Sequence, residues 1–139
     1  MTVHSVRSLL PGSRTVLAIV RVNGNCDASD FIAGLRLQSR AKFQSYFERL
    51  RDGHHVKSPE NMRFLQSDRY GAKLHELKVH SDGGLRIYVV EFDNKWLATH
   101  GVKKVKDNRV PAEVAKAFGI FYEWHDYQKG LENGRVSDK

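Results

Sequence analysis

The sequence predicts a single α+β domain in which N-terminal helices pack on a mainly antiparallel four-stranded sheet and another helix follows at the C-terminus. Two observations predict this class. A segment with helical spacing of apolar residues precedes three closely spaced strand-like segments, and a second helical segment follows them. The length of 139 residues, of which 40% are hydrophobic, is that of one domain with its own core.

The first predicted strand covers residues 15–22, which are β-branched and almost entirely apolar. Such a run is typical of a strand that is buried on both faces. The long connection that follows allows it to lie beside a later strand, with helices on one face of the sheet. Residues 1–13 are expected to form a loose leader, which Pro11 and Gly12 close.

Residues 27–52 have the spacing of an amphipathic helix. The apolar positions of this stripe are Ile32, Leu35, Phe43, Tyr46, Phe47 and Leu50. Asp27 or Ser29 is expected to cap its start and Gly53 to end it. Because Gly34 weakens a helix, one bent helix and two separate helices are both open. A short second helix is predicted to begin at Ser58-Pro59-Glu60.

Three strands are predicted at residues 73–80, 85–92 and 96–102, separated by the turn sequences SDGG and DNK. Such short connections indicate an antiparallel meander. The last helix is predicted from about Pro111 to about Lys129 because its apolar residues recur at helical spacing. Residues 131–139 are polar and are expected to be a frayed tail.

The net charge of +7 attracts polyanions such as nucleic acid, although a solvated basic surface without a specific partner is the simpler alternative. Cys26 is the single cysteine, so no internal disulfide framework is possible and a reducing cytoplasm fits best. The longest apolar run, residues 16–20, is too short to cross a bilayer, so no membrane partner is expected.

Basic residues of the meander are the first candidates for a binding site. Alternation along the strand places Arg86 on one face with Tyr88, where it either binds an anion or extends its charge to solvent. The lysines that flank the meander are expected to converge near one end of the sheet, and these are Lys73, Lys78, Lys103 and Lys104. Such a cluster can hold a phosphodiester. The alternative is a fringe of lysines that protects the sheet edges.

Seven histidines offer acid–base chemistry at neutral pH, and His100 is the preferred candidate because it precedes the Lys103-Lys104 pair. No histidine pair has the HExxH spacing and the sequence has no Cys/His cluster, so neither a metal site nor a cofactor is predicted.

The segments KLHELKV, LRIYVVEF, WLATHGVKKV and RVPAEVAKAF, in this order, resemble the phage-derived HigB-like branch of the RelE/ParE toxin superfamily. The resemblance implies two N-terminal helices against an antiparallel sheet. It also implies a cytoplasmic toxin that cleaves mRNA on the ribosome without a metal, using Lys, Arg, His and Tyr side chains. A cognate antitoxin, often of the helix-turn-helix type, is the implied protein partner. Superfamily members similar to ParE instead poison DNA gyrase.

The resemblance also implies roles for individual residues. Arg86 matches the phosphate-binding arginine of the central strand, and Lys78 matches a basic residue on the preceding strand. Lys103 and Lys104 match the basic pair after the last strand, and His100 is a weaker match for an acid or base. The expected site is therefore Arg86, Lys103, Lys104 and His100 for catalysis, with Lys73, Lys78, Arg86 and Tyr88 for RNA binding.

The sequence lacks the tyrosine that RelE-like nucleases tend to place just after the basic pair. Three functions therefore stay open. The chain is an mRNA endonuclease toxin, a toxin that binds gyrase, or a regulator that keeps the fold and has lost the chemistry.

Overall fold

The computed structural model describes residues 6–104 and 106–137, which form one mixed sheet between two layers of helices. The strands are β1 (Val6–Ser8), β2 (Val16–Ile19), β3 (Met62–Ser67), β4 (Lys73–Val79), β5 (Leu85–Phe92) and β6 (Lys95–Lys103). The helices are α1 (Asp27–Ala33), α2 (Leu37–Arg51) and α3 (Val110–Ser137), and a 3-10 turn, Asp107–Arg109, precedes α3.

The sheet has the strand order β1-β2-β6-β5-β4-β3 in the described part of the chain. β2 pairs parallel with β6, and the other neighbours are antiparallel. The α+β class is thus confirmed, but the prediction of four mainly antiparallel strands is corrected to six strands in a mixed sheet. Parallel neighbours need a crossover connection, and the long segment between β2 and β6, which contains α1 and α2, provides it.

Two of the six strands were not predicted. β1 lies in the predicted leader and pairs with β2 through Arg7 and Ala18. β3 begins at Met62, just after the position where a short helix was expected, and Ser58-Pro59-Glu60 forms a turn instead. Both are edge strands; β1 is exposed along its length and β3 at half of its residues, so neither carries a clear apolar alternation. Residues 1–5 of the predicted leader lie outside the described residues.

The N-terminal helical segment forms two separate helices and not one bent helix. α1 ends before Gly34, and α2 starts three residues later. The residue before α1 is Cys26, and no side chain caps the helix, so the predicted caps Asp27 and Ser29 are wrong. Gly53 follows the end of α2 with a φ of 75°, which is the left-handed conformation that stops helices.

Each face of the sheet has its own apolar core. Val16, Leu77 and Ile87 point towards α1 and α2, whereas Leu17 and Val90 point towards α3. β2 is buried along its whole length, as its sequence predicted. α3 continues through residues 131–137 of the predicted tail, and residues 138–139 lie outside the described part. No helix of this part combines the length and apolarity needed to span a bilayer.

Candidate anion-binding site

A cavity of about 200 Å³ opens on the α3 side of the sheet, close to the start of α3. We call it the cationic cavity, and it is lined by Arg63, Glu76, Lys78, Arg86, Lys104, Asp107 and Val110. Its basic side chains outnumber the two carboxylates. Val110 is the first residue of α3, so the positive end of the helix dipole adds to the field at the cavity. The arrangement favours a ligand that carries negative charge.

Lys78 and Arg86 are direct neighbours across β4 and β5 in this cavity. Cross-strand partners share a face of the sheet, and like charges in this position destabilise it. Arg86 is also 8% exposed, which is unusual for a cation. Two cations held this close, one of them buried, form a ready site for an oxyanion.

Glu76 is the carboxylate that makes the burial of Arg86 tolerable. It is 3% exposed and lies opposite Arg63 on β3. Its Oε1 is 3.2 Å from Arg63 Nη2, and its Oε2 is 3.8 Å from Arg86 Nε. Tyr88 donates its hydroxyl proton to the same Oε2 at 3.3 Å. Glu76 therefore approaches Arg86 at Nε, and Arg86 is also a lining residue of the cavity.

The remaining contacts of Arg86 and Lys78 leave charge uncompensated. Arg86 Nη1 donates to the carbonyl oxygen of Leu85 at 3.0 Å, a neutral acceptor. Lys78 makes no ion pair within 4.0 Å among the described residues. Partial burial lowers the pKa of the Lys78 ammonium, and Arg63 and Arg86 lower it further against the opposing effect of Glu76. Lys78 thus gives up a proton more readily than an ordinary lysine.

His100 lies behind the cavity and not in its wall. Its ring is 1% exposed and stacks on Tyr88 with a centroid distance of 4.8 Å. Burial lowers the pKa of His100, so the neutral ring donates from Nε2 to Glu113 Oε1 at 2.8 Å. Nδ1 faces Thr99 Oγ1 at 3.1 Å. His100, which was predicted as a proton carrier, is therefore not among the lining residues of the cationic cavity, and its contact with Glu113 connects α3 to the sheet.

A β-bulge brings His100 to the α3 side. The register shifts between Tyr88 and Val89, so that Val89 pairs with Ala98 and Tyr88 pairs with His100. Thr99 is the extra residue, and its hydroxyl lies 3.4 Å from the carbonyl oxygen of Tyr88. Simple alternation would have placed His100 on the face of Ala98, so the sequence alone could not predict its neighbours.

The other predicted catalytic and RNA-binding residues also divide into two groups, those that line the cavity and those that lie elsewhere. Lys78, Arg86 and Lys104 meet at the cavity, whereas Lys73 lies at the other end of β4, opposite Glu91. Lys103 pairs with Leu85 and so shares the α1–α2 face. The prediction that the four lysines converge is therefore wrong for Lys73 and Lys103. Tyr88 is fully buried, and it supports Glu76 without reaching the surface.

Three charged members of the cavity were not predicted from the sequence, namely Arg63, Glu76 and Asp107. Arg63 belongs to the unpredicted strand β3, and Asp107 belongs to the short 3-10 turn before α3. The position of Glu76 could have been recognised from the sequence, because Glu76 shares one face of β4 with Leu74 and Lys78. A carboxylate two residues from the key lysine, facing the same side, is the expected partner of a buried cation.

Chemically, the cavity can hold a phosphate group between Arg86 and Lys104 and can accept a proton at Lys78. Among residues 6–104 and 106–137, no group of three or more His, Cys, Asp or Glu side chains is arranged to hold a metal ion. No protein-family model, curated protein or solved structure matches the chain.

Proposed function

We propose that the protein is the toxin of a bacterial or phage toxin–antitoxin system, and that it cleaves mRNA on the ribosome without a metal. The observation that carries this proposal is the cationic cavity with its opposed pair, Lys78 and Arg86. Support also comes from the two N-terminal helices on one face of the sheet and from the order of the meander strands. A cytoplasmic location and a cognate antitoxin belong to the same proposal.

The cleavage needs only proton transfer and charge stabilisation. The RNA 2′-oxygen attacks the adjacent phosphorus and its proton passes to the fraction of Lys78 that is in the amine form, a fraction that increases because burial and the cationic neighbours lower the pKa of Lys78. The bond from phosphorus to the 5′-oxygen breaks, and that oxygen takes a proton from solvent. Arg86 and Lys104 stabilise the charge on the non-bridging oxygens. The products are a 2′,3′-cyclic phosphate and a 5′-hydroxyl.

The test is induced expression in a bacterium, followed by primer extension on a few abundant mRNAs. The wild-type chain is expected to arrest growth and to produce discrete new 5′ ends. Lys78→Ala and Lys104→Ala are expected to lose these ends, because each removes a cavity cation that is not buried. Arg86→Ala is expected to lose them as well, provided that circular dichroism shows a folded protein.

Matched controls come from the lysines that the structure places elsewhere. Lys73→Ala changes the same strand as Lys78→Ala, and Lys103→Ala changes the residue beside Lys104. Both controls remove one positive charge from the protein and are expected to keep the cleavage pattern. Cleavage that survives in folded Lys78→Ala and Lys104→Ala proteins would exclude the cavity as the active site.

One observation favours a second candidate function, a toxin or regulator that binds without cleaving. His100 is buried and engaged by Glu113, so the cavity contains no histidine among its described lining residues. Growth arrest with intact mRNA and linearised plasmid would indicate a gyrase poison. Absence of both arrest and cleavage would indicate a regulator that has kept the fold.

A further inference from the structure

A second cavity of about 480 Å³ lies on the α1–α2 face of the sheet, below the loop that follows α2. We call it the aromatic groove, and its lining includes Phe64, His75, Glu91 and Trp96. It is on the opposite face from the cationic cavity, because Glu76 and Lys78 alternate with His75 along β4. Its ligand is therefore independent of the proposed RNA cleavage.

The floor of the groove is a row of three rings from neighbouring or nearby strands. The ring centroids of Phe64 and His75 are 5.5 Å apart, and those of His75 and Trp96 are 5.3 Å apart. Phe64 is 52% exposed, although it is a large apolar residue on a strand. His75 and Trp96 are half-buried, so Phe64 has the most open ring of the three. An aromatic face that is open to solvent in a concave site is suited to a flat or cationic partner.

The charge of the groove is opposite to that of the protein. The chain has a net charge of +7, yet the described residues that line the groove include no Lys or Arg. Glu91 is the acidic residue among them, and its side chain is 43% exposed. Its Oε1 lies 3.3 Å from His75 Nε2, which leaves the second carboxylate oxygen open to another donor.

His75 does not neutralise Glu91. Burial lowers the pKa of His75, and nearby Lys73 lowers it further against the effect of Glu91. The ring is therefore uncharged near neutral pH and donates to Glu91 as a neutral group. Lys73 lies across from Glu91 in the β4–β5 register but forms no ion pair with it within 4.0 Å. Among the described residues, Glu91 therefore has no cationic partner within 4.0 Å at the edge of the aromatic floor.

We propose that the aromatic groove binds the guanidinium group of an arginine side chain on a partner protein. A guanidinium stacks on Trp96 or Phe64 and directs its forked donors to Glu91, combining a cation–π contact with charge-assisted hydrogen bonds. Charge complementarity favours this occupant, since Glu91 would repel a phosphate or a nucleotide, and the cation beside it, Lys73, is not among the lining residues of the groove. Lysine fits less well because a compact ammonium does not stack.

The experiment uses the full chain with Trp124→Phe, which leaves Trp96 as the single tryptophan and its indole N–H as an NMR reporter. The probe is the blocked tripeptide acetyl-Gly-Arg-Gly-amide. Saturable shifts of the Trp96 signal are expected, with a Kd on the order of 1 mM for so small a ligand. The same peptide with citrulline, a neutral isostere of arginine, is expected to bind at least tenfold more weakly.

Variants separate the charge of the groove from its shape. Glu91→Gln is expected to weaken the binding of the arginine peptide at least tenfold. Lys73→Ala is expected to strengthen this binding severalfold by removing a competing cation. Lys104→Ala, in the cationic cavity, should leave the Kd unchanged. The proposal is overturned by an absence of saturable shifts, by equal binding of the citrulline peptide, or by an unchanged Kd in Glu91→Gln. It is also overturned if guanosine monophosphate or free arginine binds more tightly than the blocked peptide.

Discussion

Lys78 and Arg86 face each other across β4 and β5, two cations in a position where sheets normally pair opposite charges. Glu76 compensates Arg86 on one side, and the wall of the cavity leaves Lys78 without an ion pair among the described residues. The repulsion between Lys78 and Arg86 destabilises the empty site. An anion that binds between them would relieve this repulsion, which strengthens its binding.

The first prediction concerns this repulsion. Lys78→Met should keep the packing of the side chain and remove the like-charge contact with Arg86, raising the free energy of unfolding by up to about 1 kcal/mol at low salt. Urea denaturation measures the change. Added inorganic phosphate should stabilise the wild-type protein more than the variant, because ligand binding to the folded state alone raises its stability. Lys73→Met is the control, and an equal response to phosphate in wild-type and Lys78→Met proteins would contradict the site.

A second prediction uses the neighbouring pair Lys103 and Lys104, which the strand geometry sends to opposite faces. Binding of a short 2′-O-methyl RNA, which cannot be cleaved by its own 2′-oxygen, should weaken linearly with the logarithm of the salt concentration. Lys104→Ala should reduce the slope by about 0.7, the value for one phosphate contact on a single strand. Lys103→Ala should leave the slope unchanged, and fluorescence anisotropy across a salt series distinguishes the two. Equal losses in both variants would mean that only the overall charge matters.

A third prediction follows from the buried His100. Its folded-state pKa is lowered by burial, so between that value and about 6.5 the unfolded chain binds more protons than the folded protein. The free energy of unfolding should therefore fall as the pH drops below about 6.5, by at most about 1.4 kcal/mol per pH unit for this one group. His100→Gln keeps a donor for Glu113 and should flatten that slope in chemical denaturation between pH 5 and pH 7.

The pH prediction needs two comparisons. His75→Gln should remove a separate part of the slope, because burial lowers the pKa of His75 as well. His54→Gln, at an exposed position, serves as the control for the loss of a histidine. A slope that His100→Gln leaves intact would show that the ring is accessible to protons in the folded state.

A fourth prediction compares two glycines. A Cβ atom at Gly101 would clash with the Phe31 ring of α1, so Gly101→Ala should lower the free energy of unfolding by about 1–3 kcal/mol. Gly119 lies inside α3 with open space around the Cβ position, so Gly119→Ala should raise stability by about 0.5–1 kcal/mol. Thermal denaturation measures both. Phe31→Ala in the Gly101→Ala background should recover part of the loss, and no recovery would place the strain elsewhere.

The central part of the sheet was predictable because its signals are local. β5 occupies the residues that its alternation indicated, and the SDGG turn has the positive φ angles of Asp82, Gly83 and Gly84 that its sequence suggests. The division of α1 from α2 follows in the same way from Gly34, a poor helix former. Where adjacent residues set the conformation, the sequence was sufficient.

The site was only partly predictable because it depends on register and on distant contacts. One bulge residue, Thr99, decides which side of the sheet His100 occupies, and no local pattern marks it. Likewise, Glu76 shows its function only when Arg63 and Arg86 are brought to either side of it. The lysines were recognised as a group, but the strand pairing selects which of them act together.

The parallel pairing of β2 with β6 has a consequence for how the chain folds during its synthesis. Val16 is made well before Trp96, which lies beside it in the sheet, so the centre of the sheet stays open until β6 has left the ribosome. Contacts this remote in sequence form slowly, since a long loop must close before they stabilise anything. Until β6 arrives, β2 and the inner faces of α1 and α2 are exposed apolar surface, so we expect the nascent chain to depend on chaperones more than its small size suggests.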